Sequence, residues 1–362
     1  MKPNQTLKNR GALSNPDGRF EPETRESFAD DWDIEEEILP PLETFLLPEH
    51  SKSIISRNNS PDLGFEQSIN PYRGCEHGCI YCYARPSHSY VNLSPGIDFE
   101  TKIFYKVDAT KLLEKEINKS NYTCKPIVLG ANTDPYQPAE AKLEITRSLL
   151  KVLAKYHHPV IIITKNALIE RDLDILFDMG KQNLAKVAIS ITSLSTDLKR
   201  IMEPRTTAPS GRLRIIKRLT ENGIPTRVLV APVIPMINDM EMEKILHAAA
   251  NSGARHADYV LIRLPHEVNE LFKEWLAQHF PQRAEHVMSL IRQMRGGKEY
   301  DARFGSRMRG EGEYANLLNT RFQLACKKFR LNVEPDPYLT RSKFCKKEDL
   351  TNKQLNLWED EW

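Results

Sequence analysis

Residues 70–85 read Asn70-Pro71-Tyr72-Arg73-Gly74-Cys75-Glu76-His77-Gly78-Cys79-Ile80-Tyr81-Cys82-Tyr83-Ala84-Arg85. They hold three of the chain's six cysteines, spaced C-x3-C-x2-C, with Tyr81 just before the last and Tyr83 just after it. Three thiolates on one short loop suit three irons of a cubane cluster and leave the fourth iron without a protein ligand, whereas an ordinary four-iron electron carrier takes four cysteines. An open iron means what an open position on a catalytic zinc means: a small molecule binds there. Other uses fit less well. A disulfide with a spare thiol belongs to secreted chains, and nothing marks this as one. Structural zinc asks for paired ligands some distance apart; no second C-x-x-C or H-x3-H occurs, and His77 as a fourth ligand is crowded between the thiols. Gly74, Glu76, His77 and Gly78 read as a loop rather than as the surroundings of core cysteines.

The 362 residues, 40% apolar and 28% charged, describe a globular chain of one large domain with appendages or of two domains. No apolar run approaches the ~20 residues of a membrane span, so no membrane partner is expected. The first 30 residues are polar and lack the apolar segment of a signal peptide. The expected location is the cytoplasm, where thiolates and iron–sulfur clusters survive. Charge is unevenly spread: residues 1–50 carry 5 Lys and Arg against 12 Asp and Glu, while the whole chain carries 51 against 49.

Residues 1–35 are rich in Asn, Asp, Glu, Gly and Pro without an apolar period, and read as a partly disordered arm ending in the acidic run from Asp30 to Glu37. Arg19, Phe20 and Trp32 are surplus side chains there, able to dock the arm on the body. From Ile69 onward short β-branched runs alternate with helical patterns. Strands are expected over 68–72, 127–131, 160–164, 187–192, 226–231 and 259–264, with both faces covered. Helices are expected over 109–118, 139–156, 172–179, 211–222 and 241–252. Six alternations mean a parallel sheet with right-handed crossovers, which a doubly wound sheet and a curved barrel satisfy equally. Residues 269–294 read as two helices around Phe280-Pro281. A glycine- and arginine-rich loop over 295–312 follows, then a helix over 314–329 and a basic, mobile tail.

The cysteine spacing with its aromatic before the third thiol is the signature of the radical S-adenosylmethionine (SAM) enzymes. The string 70–79 resembles more closely the bacterial branch related to spore photoproduct lyase. So do Thr133-Asp134-Pro135-Tyr136-Gln137-Pro138, Ile163-Thr164-Lys165, Ala231-Pro232-Val233-Ile234-Pro235, residues 292–297 and residues 303–310. The resemblance selects an α/β fold, a partial (β/α)6 barrel over 56–268, with a polar, acidic arm over 1–55 and a helical, arginine-rich extension over 269–362. It implies a [4Fe–4S] cluster on Cys75, Cys79 and Cys82 and SAM as cofactors. It also implies a one-electron reductant such as flavodoxin or ferredoxin, and a 5′-deoxyadenosyl radical that abstracts hydrogen from a substrate. Lys165 and Ser190 resemble that group's partners of the SAM carboxylate, Thr133 and Asp134 its second-strand contact to ribose and amino group, and Tyr83 the aromatic beside adenine. Each also has a plainer reading as a turn or cap residue.

One departure stands out. The photoproduct lyases return hydrogen from a cysteine near the end of the second strand, where this chain has Asn132. Cys124 lies before that strand and is expected at the barrel's other end; Cys326 and Cys345 are left to reach the mouth, with a buried role expected for Cys326. Lesion repair or modification of nucleic acid is therefore the alternative rather than the first reading, with Arg295, Lys298, Arg303, Arg307 and Arg309 interleaved with aromatic residues as its candidate surface. A plainer use of those arginines is to lock loops to carbonyls and carboxylates. A second alternative is a zinc- or cluster-bearing module with no activity.

Overall fold

The computed structural model describes residues 10–20 and 42–346. The acidic run and Trp32 lie outside the described residues. The strands in chain order are β1 (Phe45–Glu49), β2 (Ile55–Arg57), β3 (Gln67–Ile69), β4 (Tyr72–Arg73), β5 (Lys102–Lys106), β6 (Ile127–Leu129), β7 (Val160–Thr164), β8 (Ala185–Ser190), β9 (Thr226–Val233) and β10 (His256–Leu261). Seven of them form one sheet in the order β10-β9-β8-β7-β6-β3-β2. All its pairs are parallel except β2 against β3.

The six parallel strands stand side by side in sequence order. Right-handed crossovers therefore place every connecting helix on the same face, and the sheet curls around its uncovered face. A doubly wound sheet reverses its order at a switch point, and this one does not. The fold is a partial (β/α)6 barrel.

The strands obey that geometry. Val160 and Ile162 of β7 are fully buried against Leu149, Leu153 and Leu176 of the flanking helices, while Ile161 and Ile163 are partly exposed on the concave side. The expectation of strands covered on both faces holds for β3 and β6, buried throughout, and nearly so for β8, whereas in β7, β9 and β10 buried and partly exposed residues alternate. The expected helix over 139–156 is two, Glu140–Leu143 and Ile145–Lys155, because Glu144 takes a left-handed φ of 50° between them.

Two further pieces close the body. Helices Val268–His279 and Ala284–Gln293 pack Phe272, Trp275, Leu276, Val287 and Ile291 into a second apolar core with Cys79, Ile80 and Tyr81, so the extension forms a floor under the cysteine loop. The tail after Leu331, expected to be mobile, runs along the sheet's N-terminal edge as far as residue 346. Asn332 donates its N–H to the Arg255 carbonyl at 2.9 Å, Thr340 to Asn183 at 2.8 Å and Cys345 to Tyr156 at 3.2 Å.

Candidate functional site

The cysteine loop leaves the sheet at the C-terminal end of β3, passes through β4 and is pinned from several sides. Gln137 accepts from the Glu76 N–H (3.0 Å) and donates to the Gly74 carbonyl (3.1 Å). The wholly buried Arg85 donates to the carbonyls of Cys79, Pro95 and Gly96 and pairs with buried Glu100. The Glu100 carboxylate also accepts the N–H groups of Gly11 (3.0 Å) and Ala12 (2.9 Å). This brings the N-terminal segment across the loop so closely that a Cβ on Gly11 would lie 1.7 Å from the Gly78 oxygen. Gly78 itself has φ of 65°, a conformation other residues adopt at a cost.

Cys75 and Cys79 are buried and Cys82 is partly so. Burial pushes all three thiols up; Cys79, further opposed by the Glu203 charge, is pushed up to about 12. Thiols so placed ionise only when a cation sits among them, which is how metal ligands behave. Among the described residues no three His, Cys, Asp or Glu side chains converge as ligands of one ion. A cubane gives each thiolate its own iron and so does not ask the three to meet at one ion. The donor set fits the cluster.

Lys165, just past β7, holds its ammonium 6.0 Å from the centre of the Tyr81 ring. Burial works against its charge, yet Cys79 and Glu203 nearby reverse that and raise its pKa. Among the described residues no carboxylate pairs with it. Asp134, which the resemblance makes a contact to ribose and amino group, is engaged by the protein itself. It accepts from Thr164 Oγ1 (2.7 Å), the Lys165 N–H (2.8 Å) and the Tyr136 N–H (2.9 Å), and faces His77 at 3.4 Å. Burial would raise its pKa, but His77 and these donors lower it. Thr133 spends its hydroxyl on the Tyr72 carbonyl (2.8 Å), and Ser190 its own on the Ala231 carbonyl (3.1 Å). Tyr83 donates to the Ala131 carbonyl, leaves 42% of itself exposed, and carries Arg263 over its ring at 4.7 Å.

Sequence reasoning missed the buried pair that ties these pieces together. Glu203 accepts from Tyr81 of the cysteine loop and pairs with Arg212, which in turn donates to the Ser190 carbonyl (2.9 Å). Burial would raise the Glu203 pKa, but Arg212 and Lys165 take it down to about 2. Nothing in the local pattern marks Glu203, since its partners lie on other elements.

The remaining cysteines are not at the mouth. Cys326 is buried in the main core on helix Gly312–Phe329, and Cys345 lies 3.7 Å from His157 before β7. Cys124 is partly buried against the main core just ahead of β6. Asn132 is exposed, its N–H donating to the Asn70 side chain at 3.0 Å. The arginines of the 295–312 loop are engaged: Arg295 with the carbonyls of Ile262, Ser306 and Arg307, Arg303 with Asp301, Arg307 with Asp62 and Ser60, Arg309 with Asp258. Among the described residues no helix is long and apolar enough to cross a membrane.

The profile of the family described as Radical SAM superfamily matches residues 69–249, from β3 to the helix before β10. An uncharacterised protein of Mycobacterium tuberculosis is 33% identical over 236 residues, 65% of this chain and 69% of that protein. An uncharacterised protein of Methanocaldococcus jannaschii is 27% identical over 61% of this chain and 79% of its own length. Among solved structures, spore photoproduct lyase complexed with dinucleoside spore photoproduct aligns with TM-score 0.56 at 17% identity, over 78% of this chain and 79% of that one. A cysteine-to-alanine mutant of spore photoproduct lyase with dinucleoside spore photoproduct aligns with TM-score 0.55 at 18% identity over the same shares. At such identity the likeness is one of fold.

Proposed function

This chain belongs to the radical SAM superfamily and is an enzyme of that type, and from that premise we propose that Cys75, Cys79 and Cys82 hold a [4Fe–4S] cluster beside a SAM bound at the barrel's C-terminal edge, for hydrogen abstraction from an organic substrate. The observation that carries the reading is that the three thiols of one loop, two of them buried, share one end of the parallel sheet with the Lys165 ammonium, which has no ion-pair partner among the described residues. When bound, the cluster supplies one electron at low potential for reductive cleavage of the sulfonium.

The chain's own residues do the rest. Gln137, Arg85 and Glu100 fix the loop carbonyls and so the directions in which the thiols point. Lys165 attracts the SAM carboxylate, a charge-assisted contact. Asp134 holds Thr164, the Lys165 backbone and His77 together, so it orients that cation rather than meeting the ligand first. Thr133 and Ser190 shape the same wall from the strand ends, and Tyr83 offers the half-exposed aromatic face next to the third thiol. The second apolar core under the loop keeps water away from the reacting end.

Lesion repair of the photoproduct-lyase kind finds support in the shared fold and less in the residues, since the thiols outside the loop lie in the main core or near the opposite edge. The test is anaerobic reconstitution with iron and sulfide, then incubation with SAM and dithionite. About four irons per chain and formation of 5′-deoxyadenosine are expected. Stoichiometric zinc with no iron, or SAM left intact by iron-loaded protein, refutes the proposal.

A further inference from the structure

Arg263 stands apart from the arginines around it. It follows β10 at the C-terminal edge, two residues beyond Leu261. Its guanidinium lies over the Tyr83 ring, 4.7 Å from the centroid. One terminal nitrogen reaches only the Met308 thioether, at 3.3 Å, and its Nε is buried without a partner. No carboxylate pairs with it among the described residues. Its buried neighbour Arg295 is satisfied by three carbonyls and, being a like charge nearby, repels it. Arg303, Arg307 and Arg309 each have a carboxylate.

Stacking uses only the face of a guanidinium. Its N–H groups lie in the plane, and a thioether is a weak acceptor, so most of the planar fork that matches a carboxylate or phosphate remains to be used. The stacked ring belongs to the residue after Cys82, and the ring of Tyr81, the residue before Cys82, has the Lys165 ammonium 6.0 Å from its centre. Two cations therefore stand at the strand ends over the aromatic rings that flank Cys82, and neither is neutralised by an ion pair among the described residues. The SAM carboxylate accounts for one of them on the reading above.

We infer, resting on that reading, that Arg263 receives an anionic oxygen group of the substrate, phosphate or carboxylate, with Tyr83 holding the guanidinium in orientation. The recognition site for substrate charge is then the end of β10 and not the arginine-rich loop. A substrate anchored there presents its reacting carbon toward the neighbour of the third cluster cysteine.

The experiment uses reconstituted full-length protein with SAM present and two probes, a dinucleotide with one phosphodiester and glutarate, with binding followed by titration calorimetry. Wild-type protein is expected to bind at least one probe, the dinucleotide alone indicating phosphate and glutarate alone indicating carboxylate. Arg263→Gln should lose tenfold or more in that affinity, and Arg263→Lys, which keeps the charge without the fork, should recover part of it. Arg303→Gln controls for unspecific attraction and should bind like wild type. Arg263→Met, which keeps the apolar stem, replaces the Gln variant if that one does not fold. Wild type binding neither probe, or folded Arg263→Gln binding as wild type does, overturns the inference. SAM binding by wild type is measured on the same samples: its absence refutes the assignment of SAM to this edge, while SAM bound without anion binding refutes the role of Arg263 alone.

Discussion

At the C-terminal edge of the sheet buried groups are kept ionised. At the N-terminal edge they are kept neutral. Asp134 and Glu203 are held below their ordinary values against the cost of burial, and Lys165 above its own. Across the sheet, burial takes His158 down to about 4 and raises Cys124 to about 12. The His158 ring sits between the Tyr122 hydroxyl, 2.7 Å from Nε2, and the Pro159 carbonyl, 3.0 Å from Nδ1, under Phe344 of the tail. One edge supplies counter-charges and backbone donors; the other supplies apolar cover and neutral dipoles. The thiols of the loop are exceptions near the charged edge, and so is His88 beside Gly74, since burial leaves them uncharged. A charged edge of this kind is what a zwitterionic ligand and a cluster require.

The sharpest way to break this contrast is to remove the exceptional groups. Changing Cys75, Cys79 or Cys82 to Ala should abolish cluster iron, measured by iron content and by visible absorbance after anaerobic reconstitution. Cys124→Ala, at the neutral edge, should load as wild type does. Equal iron in the two kinds of variant would mean that the thiols of the loop are not the ligands.

Next in size is the buried ion pair. Arg212→Met removes the ion-pair partner of Glu203 beneath Tyr81, and losing one partner of a buried pair costs about 3–5 kcal/mol. Urea denaturation should show that loss, while the double variant with Glu203→Leu should recover much of it. A single variant as stable as wild type would show that the charged edge does not depend on this pair.

How much of this was legible beforehand differs between the edges. The alternation of β-branched runs with helical patterns gave a parallel sheet with crossovers but not its strand order, which came from the resemblance, and the 3,2 spacing of the cysteines gave the loop. Lys165 was legible because it follows a run, Val160–Thr164, that can hardly be anything but a strand. Curvature was not, since periodicity is the same in open and closed sheets. Nor were the long-range partners: Gly11 meets Gly78, Glu203 meets Tyr81, and Arg307 meets Asp62. Asp134 was legible as a strand-end carboxylate, but its engagement by Thr164 and the Lys165 backbone depends on the neighbouring strand. The tail looked mobile because its composition is basic; what holds residues 332–346 is a set of backbone hydrogen bonds that composition does not report, and the rest of the tail lies outside the described residues.

The neutral edge makes its own prediction. His158 has a folded pKa near 4 against about 6.5 unfolded, so between these values the unfolded chain binds a proton that the folded one does not. Stability is then full above about pH 6.5 and falls as pH drops toward 4, by on the order of 3 kcal/mol from this group. His88, also held down to about 4 by burial, adds a loss of the same sign. Denaturation at pH 7 and pH 4.5, with wild type and His158→Gln at equal cluster loading, should show a smaller acid loss in the variant. Parallel curves would mean that His158 is not held neutral.

Lys165→Ala probes the charged edge more gently. The cluster should load normally while SAM affinity falls by about one to two decades, as follows from roughly 1.5–3 kcal/mol for a charge-assisted hydrogen bond. Equilibrium binding of SAM to the iron-loaded variant reads this directly, and unchanged affinity would show that the cation serves the loop and not the ligand.

The smallest effect is expected from Arg303, and its smallness is informative. Arg307 is 17% exposed and ties the 295–312 loop to Asp62 and Ser60, ahead of β3, so it belongs to the frame. Arg303 is 65% exposed, and its ion pairs are with Asp301, two residues away, and Glu311, 3.5 Å off in the same loop. A pair that local constrains little of the fold, and water and salt screen what remains. Arg303→Gln should therefore leave the melting temperature, the iron content and the SAM affinity of the protein where they are, whereas Arg307→Gln should lower the melting temperature. If instead Arg303→Gln removed salt-sensitive binding of a single-stranded oligonucleotide while the protein stayed folded, the charge that matters for substrate would lie on the loop, and the division between a charged edge that recognises ligands and an extension that only supports it would no longer hold.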